Sequence, residues 1–297
     1  MAIALCNTTV DRYGRELVQH GTTAFPVACY HDDFRQMDVP WHWHEELEAV
    51  LISEGSCTVA AGNEKYVLRE GEGFFVNSEI LHGAWNGSES GCRFHSLVFH
   101  PRLVGGSLDS VFYQSYLQPL LRHHAFEVTA LHPSVPWQKQ ALEAIEAAWQ
   151  ECSQESEGYE FRVRSTLSEL IFLLCRNMPS PGFSGSEKNL RDAERIKTML
   201  TFIHGNYASE LTTRGIAASA MISNSEALRC FHATIGTSPI RYVKQYRIQQ
   251  AAKLLLASQR KIADIASVCG FQDMSYFTKS FREEKGCTPT QYRQLKQ

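Results

Sequence analysis

Short apolar runs separated by turn residues fill residues 25 to 100, and this pattern predicts a β domain. The runs that alternate or stay apolar are Phe25–Tyr30, Leu47–Ile52, Cys57–Ala60, Lys65–Leu68, Gly73–Val76 and Arg93–Phe99. Between two of them, Ala61–Glu64 predicts a hairpin turn because its Gly and Asn tolerate positive φ. Many short strands at close spacing indicate a sandwich or a barrel.

From Trp137 onward the apolar residues recur at helical spacing instead. Two amphipathic helices are predicted, one over residues 137–149 and one over residues 163–174, with a break near Gly158. Their apolar faces are wide enough to pack against the β domain and against a second copy of the chain.

A stretch rich in Pro, Gly and Ser follows these helices, and residues 179–190 are therefore predicted to be a linker. We predict one domain over residues 1–178 and a second over residues 191–297. The charge changes sign between them. Residues 1–189 carry 13 basic and 24 acidic side chains, a net charge of −11, whereas residues 190–297 carry 16 and 8, a net charge of +8. A basic domain indicates contact with a polyanion, although charge alone fits chance segregation equally well.

The second domain contains an internal repeat. The pattern Phe231-x4-Gly-x-Ser-Pro-x-x-Tyr242 recurs 50 residues later as Phe281-x4-Gly-x-Thr-Pro-x-x-Tyr292. In each copy we predict a short helix, a tight turn and a second helix, the second helices being Ser223–His232 and Asp273–Arg282. This is helix-turn-helix geometry, in which the second helix enters the major groove of DNA. A single copy alone would favour a packed αα-hairpin, because the signal is short; the duplication, the positive charge and the polar exposed faces together favour DNA binding instead.

Residues 196–293 resemble the C-terminal DNA-binding domain of AraC-family transcriptional regulators, most specifically over Ile262–Arg282. The resemblance implies two helix-turn-helix units joined by a long helix, here Pro239–Ala257. At the turn of the first unit, Met221 replaces the small residue that is usual in the family. The resemblance implies DNA contacts from the exposed residues of the two second helices: Asn224, Ser225, Glu226, Arg229, Met274, Ser275, Thr278, Lys279 and Arg282.

His42-x-His44-x3-Glu48, followed by a second motif that ends in His82, resembles the two motifs of the cupin family of small β-barrels. Imidazoles at i and i+2 of one strand point to the same side, so these four residues are candidate ligands of a divalent metal. Two other interpretations stay open: an effector pocket without metal, and histidines that are hydrogen-bonded in the core. The predicted effector-binding set adds two tryptophans at the barrel mouth: Trp41, His42, His44, Glu48, His82 and Trp85.

Composition bears on the compartment. The 297 residues are 43% hydrophobic and 21% charged, as in an ordinary globular protein of two domains. The nine cysteines are scattered singly, which predicts reduced thiols. The longest apolar run, Leu170–Cys175, is too short to cross a bilayer, and the first residues do not have the pattern of a signal peptide. We expect a cytoplasmic protein that does not contact a membrane.

The predicted fold class is α+β: a cupin-like β-barrel with two amphipathic helices, then an all-α domain. The resemblance implies a sequence-specific DNA-binding transcriptional regulator, not an enzyme, that responds to a small-molecule effector such as a sugar or related metabolite. The alternative is a metal-dependent cupin enzyme, an isomerase or oxygenase, with an appended DNA-binding module. The regulator requires no cofactor, although the barrel offers a divalent-metal site. Expected partners are double-stranded DNA, the effector and a second copy of the chain, with RNA polymerase as a further candidate.

Overall fold

The structure, a computed structural model, describes residues 10, 15–34, 39–61, 64–86, 91–123, 126–178 and 187–294. These residues form two compact units that divide between Leu190 and Arg191. The first unit is built mainly on β-strands and the second on α-helices. Within the described ranges, no helix combines the length and the apolar character that a membrane span requires.

The described part of the first unit contains eight strands: β1 (Val27–Asp33), β2 (Val39–His42), β3 (Leu47–Ala61), β4 (Glu64–Arg69), β5 (Gly73–Val76), β6 (His82–Asn86), β7 (Cys92–Phe99) and β8 (Val128–Leu131). They pair in the order β1-β7-β3-β5-β8, while β4 and β6 pair with β3, and β2 pairs with β6. The pairings are antiparallel. Between β7 and β8 the chain forms short helical turns: α1 (Arg102–Gly105), a π-helical turn (Tyr113–Leu117) and α2 (Gln118–Leu121).

Strand β3 is long enough to belong to two sheets. Up to Gly55 it pairs with β5 and β7, and from Ser56 it pairs with β4 and β6. A register shift after Ile52 and the positive φ of Gly55 (79°) mark the place where it changes sheet. A Cβ at Gly55 would run into the carbonyl of Gly91, so the bend requires glycine. The prediction of two separate strands here was wrong, because the chain bends at Gly55 but remains paired as one strand on both sides of the bend.

Two apolar layers stabilise the first unit. Val50 and Ile52 of β3 belong to the layer inside the barrel, and Leu47 and Ala49 belong to the layer that packs against helices, as strand alternation requires. The helices are α3 (Pro136–Gln154) and α4 (Tyr159–Arg176), with the left-handed Gly158 between them. The two helices predicted from Trp137 onward are therefore confirmed, and each is longer than its prediction.

The second unit consists of α5 (Glu187–Asn206), α6 (Thr213–Ser219), α7 (Asn224–Thr234), α8 (Pro239–Ala257), α9 (Ile262–Val268), α10 (Met274–Lys285) and α11 (Pro289–Gln294). The predicted pairs of short helices and the long helix Pro239–Ala257 are confirmed. Side chains of Thr212, Ser223, Ser238 and Asp273 accept hydrogen bonds from backbone amides at the helix starts, which fixes where α6, α7, α8 and α10 begin.

Other local predictions differ from the structure or lie outside it. β2, β6 and β8 were not predicted, because each is short and none has a strong apolar alternation. Residues 187–190, predicted as linker, already belong to α5. Residues 179–186 of the predicted linker, and the Gly62 and Asn63 of the predicted hairpin turn, lie outside the described residues.

Candidate DNA-reading helices and histidine site

Helix α7 is the second helix of the first helix-turn-helix unit. Its inner face buries Ala227, Cys230 and Phe231, as the spacing predicts. Its outer face exposes Asn224 and Ser225. The sequence therefore identified correctly which face of this helix is free to meet another molecule.

Two charged residues of α7 already have partners inside the helical domain. Arg229 Nη1 lies 2.9 Å from Asp192 Oδ2, and Glu226 Oε1 lies 2.7 Å from Arg195 Nη1. Asp192 is on α5 and its side chain is only 5% exposed. The hydrogen bonds from Arg229 outweigh partial burial and hold the pKa of this carboxyl below its usual range. No sequence motif connects α5 to the reading helix, and this network was not predicted.

Helix α10 is the second helix of the second helix-turn-helix unit, and its outer face is open. Phe277 and Phe281 are fully buried. The predicted DNA-reading residues line a surface groove together with Glu283 and Thr288: Met274, Ser275, Thr278, Lys279 and Arg282. Among the residues that the structure describes, Lys279 and Arg282 form no ion pair.

Two basic residues of α8 have partners inside the helical domain. Lys244 Nζ lies 3.2 Å from Glu283 Oε2. Arg247 donates to the carbonyls of Tyr207 and Ser209, each at 2.7 Å. Arg247 therefore holds the segment after α5 in place, whatever else it contacts.

The candidate metal ligands of the barrel lie together. The ligand atoms of His42, His44, Glu48 and His82 lie within 4.8 Å of one another. His42 ends β2 and pairs in register with His82, the first residue of β6. His44 lies beyond the end of β2, so the prediction that both histidines share one strand was wrong. They converge because the chain turns after β2, not because of strand alternation.

Backbone carbonyls fix the orientation of the three imidazoles. The Nδ1 atoms of His42, His44 and His82 lie 2.9, 3.1 and 2.7 Å from the carbonyl oxygens of Pro40, Glu46 and Ile80. A carbonyl can only accept, so each Nδ1 carries a hydrogen and each Nε2 is turned toward the site. The Nε2 of His82 also donates, to the carboxylate of Glu48. Nε2 of His82 lies 2.9 Å and that of His44 lies 3.5 Å from Glu48 Oε2, and the buried His44 atom makes no hydrogen bond.

The electrostatics of the site follow from burial and crowding. Burial, together with the neighbouring His82, lowers the pKa of His42 to about 3. Burial alone would lower the pKa of His82, but the hydrogen bond to Glu48 outweighs it and raises that pKa. Burial disfavours the charged form of Glu48 too, yet its contacts with His44 and His82 hold the pKa of this carboxyl well below its usual range. His42 is therefore a neutral imidazole, and Glu48 is an ionised carboxylate.

A second carboxylate, which the sequence analysis missed, lies beside these histidines. Glu16 Oε2 is 3.1 Å from His20 Nε2 and 3.7 Å from His42 Nε2. Burial opposes ionisation of Glu16, but His20 and His42 lower the pKa of its carboxyl. The i, i+4 spacing of Glu16 and His20 was the one available signal, and by itself it is too common to indicate a site.

The predicted tryptophans lie beside each other, with ring centroids 6.4 Å apart. Trp41 is buried, and Lys65 Nζ lies 5.8 Å from the ring centroid of Trp85. A cavity of about 20 Å³ inside the barrel is lined by Glu48, His82 and apolar side chains, and neither tryptophan is among them. The structure thus brings together the histidines and Glu48 but leaves the tryptophans apart from this cavity.

Comparison with known proteins identifies the family of both domains. A family model described as an AraC-like ligand binding domain matches residues 25–174, and one described as a helix-turn-helix domain matches residues 216–295. The chain belongs to the AraC family. It is a DNA-binding transcriptional regulator with a ligand-binding domain, and its α+β fold joins a cupin-like barrel to a helical DNA-binding domain, as the sequence predicted.

Relatives match along most of the chain. An uncharacterized HTH-type transcriptional regulator of Bacillus subtilis, YdeC, is 31% identical, over 97% of this chain and 99% of its own length. The HTH-type transcriptional activator RhaS of Escherichia coli is 25% identical, over 87% of this chain and 89% of its own length. Among solved structures, ToxT from Vibrio cholerae is 12% identical, with a TM-score of 0.46 over 91% of this chain and 97% of its own.

Proposed function

We propose that this AraC-family regulator senses a divalent transition-metal ion, which its barrel binds through His42, His44, Glu48 and His82. Binding of the ion would shift the protein between conformations that differ in affinity for DNA. Both α7 and α10 would read base edges in the major groove, with the open face of α10 as the main determinant of sequence.

The observation that carries the proposal is the common orientation of the three imidazoles. Each Nδ1–H is held by a backbone carbonyl, so each Nε2 is presented to the same small volume next to Glu48. Such outer hydrogen bonds are typical of metal-binding histidines, because they fix the ring and raise the basicity of the ligand atom. The buried His44 Nε2 without a hydrogen bond supports the same interpretation.

The donor set and its size suit a transition metal. Three imidazoles and a carboxylate suit zinc, iron or nickel. Metal–ligand bonds of about 2.1 Å place two ligand atoms at most about 4.2 Å apart. Because the present separations reach 4.8 Å, the side chains need to move by only a few tenths of an ångström.

The size of the cavity favours an ion over a sugar as the ligand at this place. The space beside Glu48 and His82 is about 20 Å³, room for one atom or water molecule. Small-molecule pockets usually measure about 300 Å³ or more. A sugar as effector stays a prediction, and it would have to bind elsewhere or open the barrel.

Metal analysis of the purified full-length protein tests the proposal. We expect about one transition-metal ion per chain in the wild type and none in the double variant His42→Ala/His44→Ala, since both ligands are then lost. The control is His132→Ala, which removes a partly exposed histidine of the same domain. A wild-type protein that neither contains nor takes up Mn²⁺, Fe²⁺, Co²⁺, Ni²⁺ or Zn²⁺ would end the proposal.

Coupling to DNA is tested with fragments that the wild type selects from a random pool. We expect metal-stripped and metal-loaded protein to differ about tenfold in affinity, a typical coupling between two sites. The double variant should show no such difference. Equal affinity of stripped and loaded wild type would show that the ion, even if bound, is not the effector.

A non-enzymatic role is part of this proposal. The relatives are named as transcriptional regulators, and the cavity beside Glu48 and His82 has no room for an organic substrate. The metal-dependent enzyme is the alternative. Turnover of a substrate by metal-loaded protein, lost in the double variant, would favour it.

The expected assembly and compartment also remain proposals. Helix α4 exposes Phe161, 81% accessible, and Phe172, and these two residues support a homodimer that buries this helix. Light scattering at micromolar concentration, with and without DNA, tests it: a monomer in both cases would exclude the dimer. The free thiols among the described residues support the cytoplasm, where RNA polymerase is the further partner we expect.

A further inference from the structure

Glu16 lies outside both histidine motifs, yet its side chain is only 2% exposed and is buried against the histidine site. Its Oε1 atom has no hydrogen-bond partner. Its Oε2 atom interacts with His20 and lies 3.7 Å from the Nε2 atom that His42 presents to the site. Burying a carboxylate with an unsatisfied oxygen costs free energy, so this position calls for a cation.

The backbone holds Glu16 at this place independently of its side chain. Its amide donates to the carbonyl of Trp43 at 2.9 Å, and Trp43 is the residue between His42 and His44. Next to it, Arg15 pairs with Glu45 at 2.7 Å. Glu16 is therefore anchored directly beside two of the proposed ligands.

His20 positions the carboxylate from the other side. Its Nε2 lies 3.1 Å from Glu16 Oε2 and its Nδ1 lies 2.8 Å from the Tyr30 hydroxyl. The ring also meets that of His44 edge-on, with centroids 5.6 Å apart. Glu16 Oε2 is therefore held between His20 and His42, and Glu16 Oε1 is left without a hydrogen-bond partner.

We propose that Glu16 is a fifth ligand of the metal ion, which rests on the proposed function because it assumes an ion at the four motif residues. The distance of 3.7 Å between Glu16 Oε2 and His42 Nε2 lies between the values of about 3.0 and 4.2 Å for adjacent and opposite ligands of one ion with bonds of about 2.1 Å. A second carboxylate also raises the coordination number above the four that zinc prefers in closed sites. With Glu16 as a fifth ligand, the site would suit a five- or six-coordinate ion such as Mn²⁺, Fe²⁺, Co²⁺ or Ni²⁺.

Titration of the metal-stripped full-length protein with Co²⁺ tests this role, because four-coordinate cobalt absorbs visible light several-fold more strongly than six-coordinate cobalt. We expect weak bands for the wild type. For Glu16→Gln we expect stronger, shifted bands and an affinity lower by at least about 10- to 100-fold. That is the loss usual when a residue that only supports a metal ligand is replaced. The matched control is Glu143→Gln, which removes an exposed carboxylate of the same domain that pairs with Lys139 and should leave both readouts unchanged.

Each outcome separates the two proposals. A Glu16→Gln spectrum and affinity equal to those of the wild type would overturn the fifth-ligand role while leaving the four-residue site intact. A lower affinity with an unchanged spectrum would make Glu16 a positioning residue, and would also overturn it. Absence of Co²⁺ binding by the wild type, as by His42→Ala/His44→Ala, would overturn both proposals. If thermal melting shows that Glu16→Gln does not fold, Glu16→Asp keeps the charge, withdraws the oxygens and should give the same spectral change.

Discussion

The two helix-turn-helix units have nearly the same local fold but present different surfaces. In the first unit, the charged residues Glu226 and Arg229 of the reading helix are bound by Arg195 and Asp192 of α5. In the second unit, the described residues leave Lys279 without an ion pair. The same motif therefore yields one second helix whose charged residues are held by α5 and one whose polar face is open, because α5 brings Asp192 and Arg195 next to α7.

The turns of the two helix-turn-helix units also differ in how closely their neighbours pack. Met221 and Gly270 follow the first helix at equivalent positions, 49 residues apart, and both have left-handed φ, 55° and 83°. A Cβ on Gly270 would lie 2.8 Å from the Tyr207 carbonyl and 2.9 Å from the Ala208 carbonyl. Met221 is 93% exposed, so its side chain meets no such obstacle. Packing requires glycine in the second unit, whereas the first carries only the strain of a left-handed residue.

The largest effect is expected from Gly270→Ala. Left-handed strain and two close carbonyl contacts should together destabilise the second unit by about 3 kcal/mol. The matched variant Met221→Gly should instead stabilise the first unit by about 1 kcal/mol, since it removes the strain alone. Hydrogen exchange of α6 and α9 in the full-length protein measures both. Equal protection of α9 in Gly270→Ala and wild type would show that the two turns are equivalent.

Acid is expected to have a smaller effect, a loss of about 2 kcal/mol in the free energy of unfolding. Burial lowers the pKa of His204 on α5, next to the first unit, to about 3, while the Tyr242 hydroxyl lies 2.8 Å from its Nε2. Below pH 6.5 the unfolded chain takes up a proton that the folded chain cannot, so this contribution to stability is lost as the pH falls from about 6.5 toward 3. Between pH 7.5 and pH 5 the loss amounts to about 2 kcal/mol.

Urea unfolding of wild type and His204→Gln at both pH values measures this contribution. The variant should reduce the difference between pH 7.5 and pH 5, and the exposed His232, replaced in the same way, is the control. The core cluster around α9 and α10 contains apolar residues and a buried thiol but no histidine. Amides of α9 and α10 that lose as much protection in acid as those of α7 would contradict this difference between the units.

The smallest effect, about 1 to 2 kcal/mol in the free energy of DNA binding, is expected from replacing a basic residue of a second helix. Lys279→Ala should lower affinity for selected fragments about tenfold and make binding less selective, because it removes an open basic side chain that we propose contacts a base. Arg229→Ala should lower affinity less, since its guanidinium is already bound to Asp192. Fluorescence anisotropy with fragments selected by the wild type measures both variants. A larger loss for Arg229→Ala would mean that the first unit is the main reader.

The sequence predicted the helical domain better than the barrel, and the reason is physical. Caps such as Ser223 and Asp273 and the spacing of Phe277 and Phe281 act within a few residues, so local patterns locate α7 and α10 closely. Strand pairing in the barrel is long-range. The bend of β3 at Gly55 depends on the backbone of Gly91, which no local pattern reveals.

The same difference separates the four proposed ligand residues that the sequence indicated from Glu16, which it did not. His42, His44, Glu48 and His82 follow a motif, so their convergence could be expected from the resemblance to cupins. Glu16 reaches the site through a hydrogen bond between its amide and the carbonyl of Trp43, a contact between distant parts of the chain. A carboxylate at that position has no sequence signature.

By itself the sequence determined the α+β organisation, the duplicated reading module and the opposite charges of the two halves, because these depend on composition and on spacings within a helix or strand. Only the tertiary structure decided which polar groups are available. Arg229 and Arg247 have basic side chains like Lys279, yet packing gives both of them partners inside the domain. Whether a side chain is free to bind another molecule depends on neighbours that are far away in sequence, and only the folded chain brings those neighbours within contact distance.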